Sequence, residues 1–322
     1  MAPTYDPAQR WRGYALALLA ATCWATGGLM AKWLFSQPSA DTASWPFQPL
    51  GIRIDPATLS ADRALVAFAI LALGLALFRR RDLVVTRKQL PFFALFGVAG
   101  LAMVHFTYFK TISLTGVATA ILLEYLAPIL VLLVSVLVLK HRLTWQLPVG
   151  VALSVIGCAL VVGVLGGEGL VVVPAGIAWG LASAVFFAGY SLMGSYSATR
   201  FSPWTTLAFG LGFAALFWVL VLGPRTVFLP LSDPGTLAAV TYLAVVSTIV
   251  PFGAFLYALR FIPPTAATVT STVEPFIAGL GAYVLLGEAL TGTQILGGLL
   301  VVAAIAVVQL PERPEPELPP AL

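Results

Sequence analysis

Long apolar stretches alternate with short polar connections along nearly the whole chain. About twenty apolar residues form a helix that crosses the hydrocarbon core of a bilayer, and ten stretches approach or reach this length. They lie at 14–35, 57–78, 91–112, 116–139, 147–165, 174–196, 203–222, 235–258, 264–286 and 292–310. The pattern predicts an all-α integral membrane protein with ten transmembrane helices.

The polar connections divide the chain further. Residues 1–13 are a polar N-terminus, and the first apolar run reads as a signal anchor because no small-residue cleavage site follows it. The connection 36–56 contains four prolines and predicts an irregular surface loop. The tail 311–322 is rich in proline and glutamate, so we expect it to be disordered.

The composition requires lipid as the solvent of most side chains. Hydrophobic residues make up 60% of the chain and charged residues 9%, and the mean hydropathy is +0.98. A soluble domain carries roughly 25% charged residues. The net charge of +4 is spread between apolar runs, which excludes a nucleic-acid-binding face. Cys23 and Cys158 lie inside apolar runs and are expected to be small buried side chains.

Lysine and arginine are distributed unevenly between the two predicted membrane faces. With a cytoplasmic N-terminus, twelve lie inside and five lie at or toward the outside, which agrees with the positive-inside rule. The twelve are Arg10, Arg12, Arg79, Arg80, Arg81, Arg87, Lys88, Lys140, Arg142, Arg200, Arg260 and Arg313, and the five are Lys32, Arg53, Arg63, Lys110 and Arg225. Both termini are therefore predicted to be cytoplasmic.

The chain also contains an internal repeat. A shift of 147 residues aligns Tyr108–Pro128 with Phe255–Pro275 without a gap, and a shift of 163 pairs Trp24 with Phe187. The difference between the shifts is close to the excess length of loop 36–56. We therefore predict two five-helix repeats, 14–165 and 174–310. Because five is odd, the second repeat enters the membrane from the opposite side, so the repeats are inverted.

These features resemble a known family. Ten helices in two halves, a proline in helices four and nine, and the segment LGEALTGTQILGGLLVVAA (Leu286–Ala304) are similar to the EamA branch of the drug/metabolite transporter superfamily. The resemblance implies a central cavity lined by helices one, three, four, six, eight and nine, and alternating access of the two halves. It also implies export of amino acids or other small metabolites across the bacterial inner membrane. The resemblance has one departure: the first-half counterpart of Glu288 is His141. We interpret Glu288 as a turn and helix-capping residue.

Ionisable residues inside the predicted spans are the first candidates for chemistry, since a charge at bilayer depth is costly. His105 and Glu124 flank a predicted turn near Leu114 and share a depth roughly 14 Å below the outer helix ends. Such a His–Glu pair would bind a substrate ammonium group or relay a proton; alternatively it only fastens two helices. Lys110 lies near a helix end and is either functional or snorkels to the headgroups.

Glu274 lies near the middle of helix nine, directly before Pro275. Proline removes a backbone hydrogen bond, so Pro128 and Pro275 predict bends in helices four and nine. Ser271 belongs to a polar run beside Glu274 and is a candidate for substrate binding. The alternatives are ordinary kinks for the prolines and contacts between helices for Ser271.

Five aromatic residues are candidates for the wall of a binding cavity, where rings cover an apolar side chain or a cation. Tryptophan and tyrosine also gather at membrane interfaces, which is the alternative explanation for them. The candidates are Trp24, Tyr108, Tyr125, Tyr190 and Tyr257.

No catalytic pattern accompanies these residues. The sequence has two histidines and lacks the Gly-x-Ser-x-Gly, His-Glu-x-x-His and nucleotide-binding glycine motifs. We therefore expect no catalytic residue, no metal and no cofactor. The predicted function is secondary transport of a small metabolite out of the cell, with the proton as a candidate coupling ion. A membrane receptor, a scaffold or an enzyme without a recognisable motif remains the alternative.

Overall fold

The computed structural model describes residues 5–35, 37–38, 49, 51–52, 54–115, 117–163, 173–286 and 291–310. In this part of the chain the regular secondary structure is entirely helical. Most of the predicted loop 36–56, the whole predicted tail 311–322 and Glu288 lie outside the described residues.

Fifteen α-helices follow one another along the described residues. They are α1 (Arg10–Phe35), α2 (Pro56–Phe78), α3 (Leu90–Gly97), α4 (Met103–Thr115), α5 (Val117–Glu124), α6 (Ala127–Leu137), α7 (Gln146–Val161), α8 (Pro174–Ala198), α9 (Pro203–Leu222), α10 (Pro224–Phe228), α11 (Pro234–Ala244), α12 (Val250–Ala258), α13 (Pro264–Ser271), α14 (Glu274–Leu286) and α15 (Gly292–Gln309).

Eight helical segments of the described chain are long and apolar enough to cross a bilayer. They are Arg10–Met30, Pro56–Phe78, Arg87–Thr115, Val117–Leu137, Pro174–Ala198, Pro203–Leu222, Pro234–Ala258 and Gly292–Gln309. Two further predicted spans are shorter as continuous helices: α7 has 16 residues, while 264–286 is divided between α13 and α14. The prediction of an all-α, multi-pass membrane protein is confirmed.

Two of the long segments contain a wide π-helical turn. Val98–Ala102 joins α3 to α4, and Val245–Ile249 joins α11 to α12. In each turn the backbone N–H after the segment donates to the carbonyl five residues back, from Met103 in one case and Val250 in the other. Such turns shift the side chains that follow them around the helix axis and are frequent at functional sites.

Two other segments are interrupted shortly before a proline. The α-helix breaks at residues 125–126 between α5 and α6, and at 272–273 between α13 and α14. Pro128 and Pro275 have no N–H to donate, so the carbonyls of Glu124 and Ser271, four residues earlier, lose their usual helical partner. The breaks lie well inside the apolar segments.

The helices of the two halves of the chain pack against each other reciprocally. α1 packs on α12, α13 and α14, while α8 packs on α4, α5 and α6. α7 and α15 form a separate close pair, in which a Cβ added to Gly297 would lie 2.6 Å from the Gly157 carbonyl oxygen. The wide turns and the breaks therefore lie where the two halves meet.

Candidate functional site

A cavity of about 700 Å³ lies between the two halves. Its wall includes six of the side chains predicted as site candidates: Trp24, His105, Tyr108, Glu124, Tyr125 and Glu274. The remaining wall is mostly apolar and comes from α1, α2, α4, α5, α8, the wide turn 245–249 and α12. The volume falls in the range of small-molecule sites, about 300–1,000 Å³.

Glu124 is the last residue of α5, so it stands at the first helix break. Its Oε2 atom accepts a very short hydrogen bond from the Ser183 hydroxyl on α8. Oε1 has no hydrogen-bond partner among the described residues, and Glu124 lines the cavity. One oxygen of this carboxylate is thus held by the opposite half, and the other is available to a ligand.

Glu274 stands at the second break as the first residue of α14. The Tyr125 hydroxyl, from the opposite half, donates to Glu274 Oε2 over 2.6 Å. As with Glu124, the second carboxylate oxygen has no partner in the described part of the chain. Two acids at two helix breaks therefore carry the same arrangement: one oxygen is fixed across the interface and one is free.

His105 is buried with 5% of its surface exposed, and neither ring nitrogen has a hydrogen-bond partner among the described residues. The ring packs edge to face on Phe252, with 5.0 Å between centroids. His105 and Glu124 line one cavity, but no hydrogen bond joins them, and Glu124 Oε2 accepts from Ser183. His105 therefore presents carbon atoms to the cavity.

Aromatic rings close one end of the cavity. The Trp24 ring lies 5.2 Å from Phe252 and 6.0 Å from Phe187, which both line the wall. Tyr190 stacks behind Phe187, and Phe96 packs behind Tyr190 at 5.4 Å. Beyond them stands an aromatic cluster formed by Phe92, Phe93, Phe96, Phe201 and Phe209.

The opposite end of the cavity meets a second cavity of about 570 Å³, with which it shares Ile52, Ile54 and Asp55. This outer cavity is lined by polar side chains, among them Asp233 at the start of α11. Hydrogen bonds from the Thr236 backbone N–H and hydroxyl hold the pKa of the Asp233 carboxyl below its ordinary value. Among the described residues, the central cavity thus adjoins a second cavity at one end and packed aromatic rings at the other.

Three predicted candidates do not lie in the cavity wall. Tyr190 is fully buried behind the aromatic floor and donates to the Phe252 carbonyl at 3.1 Å. Tyr257 packs on Trp204 near the end of α12. The Ser271 hydroxyl donates to a backbone carbonyl of its own helix, that of Ala267. Each lies in the expected region, but its helix face turns it away from the cavity.

Two polar wall or support residues were missing from the candidates. Arg63 was counted as a charge toward the outer face, but it is buried in α2 and lines the cavity. Its position seven residues inside an apolar run is a signal that could have singled it out. Ser183, which holds Glu124, lies in a helix rich in small residues and carries no comparable signal.

The described residues contain no group of three histidine, cysteine, aspartate or glutamate side chains placed to hold a metal ion. The two free cysteines, Cys23 and Cys158, lie on α1 and α7 and are not in the cavity wall. The polar side chains of the cavity wall carry carboxylates, one guanidinium, an imidazole, an amide and hydroxyls, and aromatic rings lie beside them. Such groups bind and orient a small polar solute.

Known proteins are similar to this chain in sequence and in fold. The model of the EamA-like transporter family matches residues 11–163 and 174–310. The Salmonella typhimurium protein named uncharacterized inner membrane transporter YicL is 26% identical over 302 residues, covering 94% of this chain and 96% of the relative. The threonine/homoserine exporter RhtA of the same species is 28% identical over 243 residues, covering 72% and 75%. A solved crystal structure matches the fold with a TM-score of 0.70 at 24% identity, covering 92% of this chain and 98% of that one.

Proposed function

Because the chain belongs to the EamA-like transporter family, we propose that it is a secondary transporter that exports small metabolites such as amino acids. The observation that carries the proposal is the cavity of about 700 Å³, in which the carboxyl groups of Glu124 and Glu274 at the helix breaks, together with Asp55, line a mostly apolar enclosure inside a membrane protein. Exposing these carboxylates to a closed apolar interior is costly, so a wet site for a polar solute explains their presence best.

Ten spans in two inverted repeats complete the proposed architecture, with α7 as the fifth span and α13–α14 as the ninth. Local irregularities recur at equivalent positions and support the repeat. The wide turns at 98–102 and 245–249 are 147 residues apart, as are the helix breaks at 125–126 and 272–273. Interrupted helices at the interface of inverted repeats are a common basis of transporter binding sites.

Contacts between equivalent residues support a pseudo-two-fold axis through the cavity floor. His105 and Phe252 are 147 residues apart and pack on each other, and Trp24 packs on Phe187, its partner at the shift of 163. Two equivalent residues touch only where a symmetry axis passes between them. The reciprocal packing of α1 and α8 against the opposite halves has the same symmetry.

The asymmetry between the two ends of the cavity supports alternating access as the proposed mechanism. With both termini cytoplasmic, the end shared with the outer cavity faces outward, and the aromatic cluster closes the cytoplasmic side. This arrangement corresponds to an outward-open state. Separation of α3 from Phe201 and α9, coupled to closure around Leu59 and Leu243, would open the cavity to the cytoplasm.

Amino acids are the proposed substrates because the free carboxylate oxygens suit an ammonium group and the rings cover an apolar side chain. The name of RhtA, which specifies threonine and homoserine, adds support from a relative. The free oxygens of Glu124 and Glu274 are also candidate proton carriers, so proton exchange is the proposed coupling.

Counterflow in proteoliposomes tests the function directly. Vesicles containing purified protein are loaded with one unlabelled solute at a time from a panel of amino acids, amines and organic acids. They are then exposed to the same labelled solute, with and without a pH gradient. We expect saturable exchange of amino acids that empty vesicles lack, with a dependence on the gradient. Absence of exchange for every solute by folded protein would overturn the transport proposal and favour a receptor or scaffold.

A further inference from the structure

Arg63 is a buried cation in the wall of the central cavity. Its side chain is 6% exposed and lies seven residues inside α2, about 10 Å along the helix from Pro56. No carboxylate of the described residues lies within ion-pair distance of its guanidinium. A buried charge without a counter-ion is strongly unfavourable, which makes this position unusual for a purely structural residue.

The guanidinium is held in a fixed orientation by neutral groups. Nη2 donates to the Ser247 carbonyl at 3.0 Å and to the Thr248 hydroxyl at 2.9 Å, and Nε donates to the same hydroxyl at 3.3 Å. The Phe109 ring packs against the guanidinium, with 5.1 Å from its carbon to the ring centroid. These contacts orient the charge without neutralising it.

One nitrogen of the guanidinium remains available. A guanidinium carries five N–H donors, and Nη1 donates to none of the described residues. Nη1 is also not among the fully buried unpartnered atoms of the described chain, so it is accessible from the cavity. Two N–H groups therefore remain for a ligand with acceptor oxygens.

Glu124 lies at a depth comparable to that of Arg63. Glu124 is seven residues from Val117, about 10 Å along α5, as Arg63 is from the start of α2. Glu124 and Glu274 each keep one oxygen free of partners in the described chain. Besides Asp55 at its other end, the cavity thus presents an oriented cation from α2 and two carboxyl groups from α5 and α14, with aromatic rings at its floor.

We infer that the cavity selects a zwitterion, with Nη1 of Arg63 binding the carboxylate of the substrate while Glu124 and Glu274 receive its ammonium group. The inference rests on the proposed transport function and names its substrate class. A bound carboxylate supplies the counter-ion that Arg63 otherwise lacks. Simple amines lack this group, and simple carboxylic acids lack the group that the two acids bind.

Competition in proteoliposomes tests the inference. The vesicles that contain the protein are loaded with the twenty common L-amino acids. Uptake of the labelled mixture is then measured in the presence of competing solutes. Unlabelled amino acids should compete at least tenfold better than their carboxamides, which keep the ammonium group and nearly the same size. This factor is the expected effect of one hydrogen bond to a charged group.

Substitution of the arginine should remove this preference. In Arg63→Gln, uptake of the mixture should fall at least tenfold, and amino acids and carboxamides should compete within about a factor of two. Arg63→Lys keeps the charge without the planar fork, so it should retain part of the preference and provides a second test if Arg63→Gln fails to fold. Lys110→Gln, which removes a charge outside the cavity wall, is the matched control and should retain the full preference.

The possible outcomes separate the inference from the function. If the wild-type protein transports amines or organic acids but not amino acids, the proposed transport function holds and the inference that the cavity selects a zwitterion is wrong. Equal competition by carboxamides, or full preference in folded Arg63→Gln, would remove Arg63 from the binding site. Exchange of no solute at all would count against the transport function itself.

Discussion

At the scale of single residues, the two cavity acids are each fixed by a hydroxyl from the opposite half. Ser183 holds one oxygen of Glu124, and Tyr125 holds one oxygen of Glu274. Because each bond crosses the interface, any relative movement of the halves changes the position of a carboxylate. In the proposed mechanism, the same contacts would link substrate binding to the movement of the two halves.

Removing the charge of Glu124 should stop transport without unfolding the protein. Glu124→Gln keeps the size and the hydrogen bond with Ser183 but loses the anion that attracts an ammonium group. We expect amino-acid counterflow to fall at least tenfold, while the purified protein elutes as a single folded species. Full counterflow activity in this variant would exclude Glu124 from the site.

Tyr125→Phe should weaken substrate binding more than it slows transport. The change removes only the hydroxyl that donates to Glu274 at 2.6 Å and keeps the ring. Loss of one bond to a charged group predicts a KM about ten times higher, with a smaller change in maximal rate. Tyr283→Phe, on the exposed face of α14, is the matched control and should leave KM unchanged. Equal KM values for both variants would contradict the role of Tyr125.

The sequence identified much of the cavity wall because intramembrane charges are rare. His105, Glu124 and Glu274 stand out in apolar runs, and all three line the cavity. The sequence does not show which way a side chain points. Tyr190 was therefore predicted to line the cavity, whereas it lies behind the aromatic rings of the cavity floor. Nor does the sequence show hydrogen bonds between distant helices, which is why Ser183 was missed.

At the scale of helices, the interruptions decide where polar groups stand. Apolar periodicity predicts long helices well, and residues 116–139 and 264–286 were correctly expected to be mainly helical. It does not reveal the break at 125–126, although Pro128 points to the region, and it gives no sign of the wide turns at 98–102 and 245–249. A proline or an extra residue leaves backbone N–H and C=O groups without their usual helical partners. The breaks and the wide turns depend on how neighbouring helices provide new hydrogen-bond partners for these groups.

Close packing between α7 and α15 should make Gly297 intolerant of a side chain. A Cβ there would lie 2.6 Å from the Gly157 carbonyl oxygen, so Gly297→Ala forces two helix backbones apart. We expect a loss of about 1–3 kcal/mol in stability, as for other overpacked sites. The prediction is checked by measuring the midpoint of thermal unfolding in detergent, with tryptophan fluorescence as the signal that monitors unfolding.

Gly74→Ala is the matched control for this prediction. It places the same methyl group in an apolar helix where no atom lies within 4 Å of the added carbon. Its unfolding midpoint should equal that of the wild type or exceed it, because alanine favours the helix. Similar midpoints for the two variants would show that the α7–α15 contact does not limit stability.

At the scale of the whole molecule, the two ends of the cavity differ in the part of the chain that the structure describes. The rings from Trp24 to the aromatic cluster form a continuous packed column, whereas the other end leads into the outer cavity through Ile52 and Ile54. In the proposed mechanism, aromatic contacts form the closed gate, and smaller aliphatic residues such as Leu59 and Leu243 would form the opposite gate.

Cysteine labelling should reveal this asymmetry and the orientation in the membrane. In a Cys23→Ala, Cys158→Ala background, Ser113→Cys lies in the cavity wall toward its open end. A membrane-impermeant maleimide should label it in intact cells, and substrate should slow the reaction. Ser202→Cys, beside the aromatic cluster, is the counterpart that should react only in inverted vesicles. The reverse pattern would invert the proposed topology.

The two wide turns bear on the history of the chain. Each adds one residue to a helix, and the two segments match position for position at a separation of 147 residues. An insertion made after a gene duplication would mark only one copy and force a gap into the alignment. In the proposed two-repeat architecture, descent from a single duplicated five-helix unit would therefore date the extra residue to the ancestor, before the two copies began to diverge.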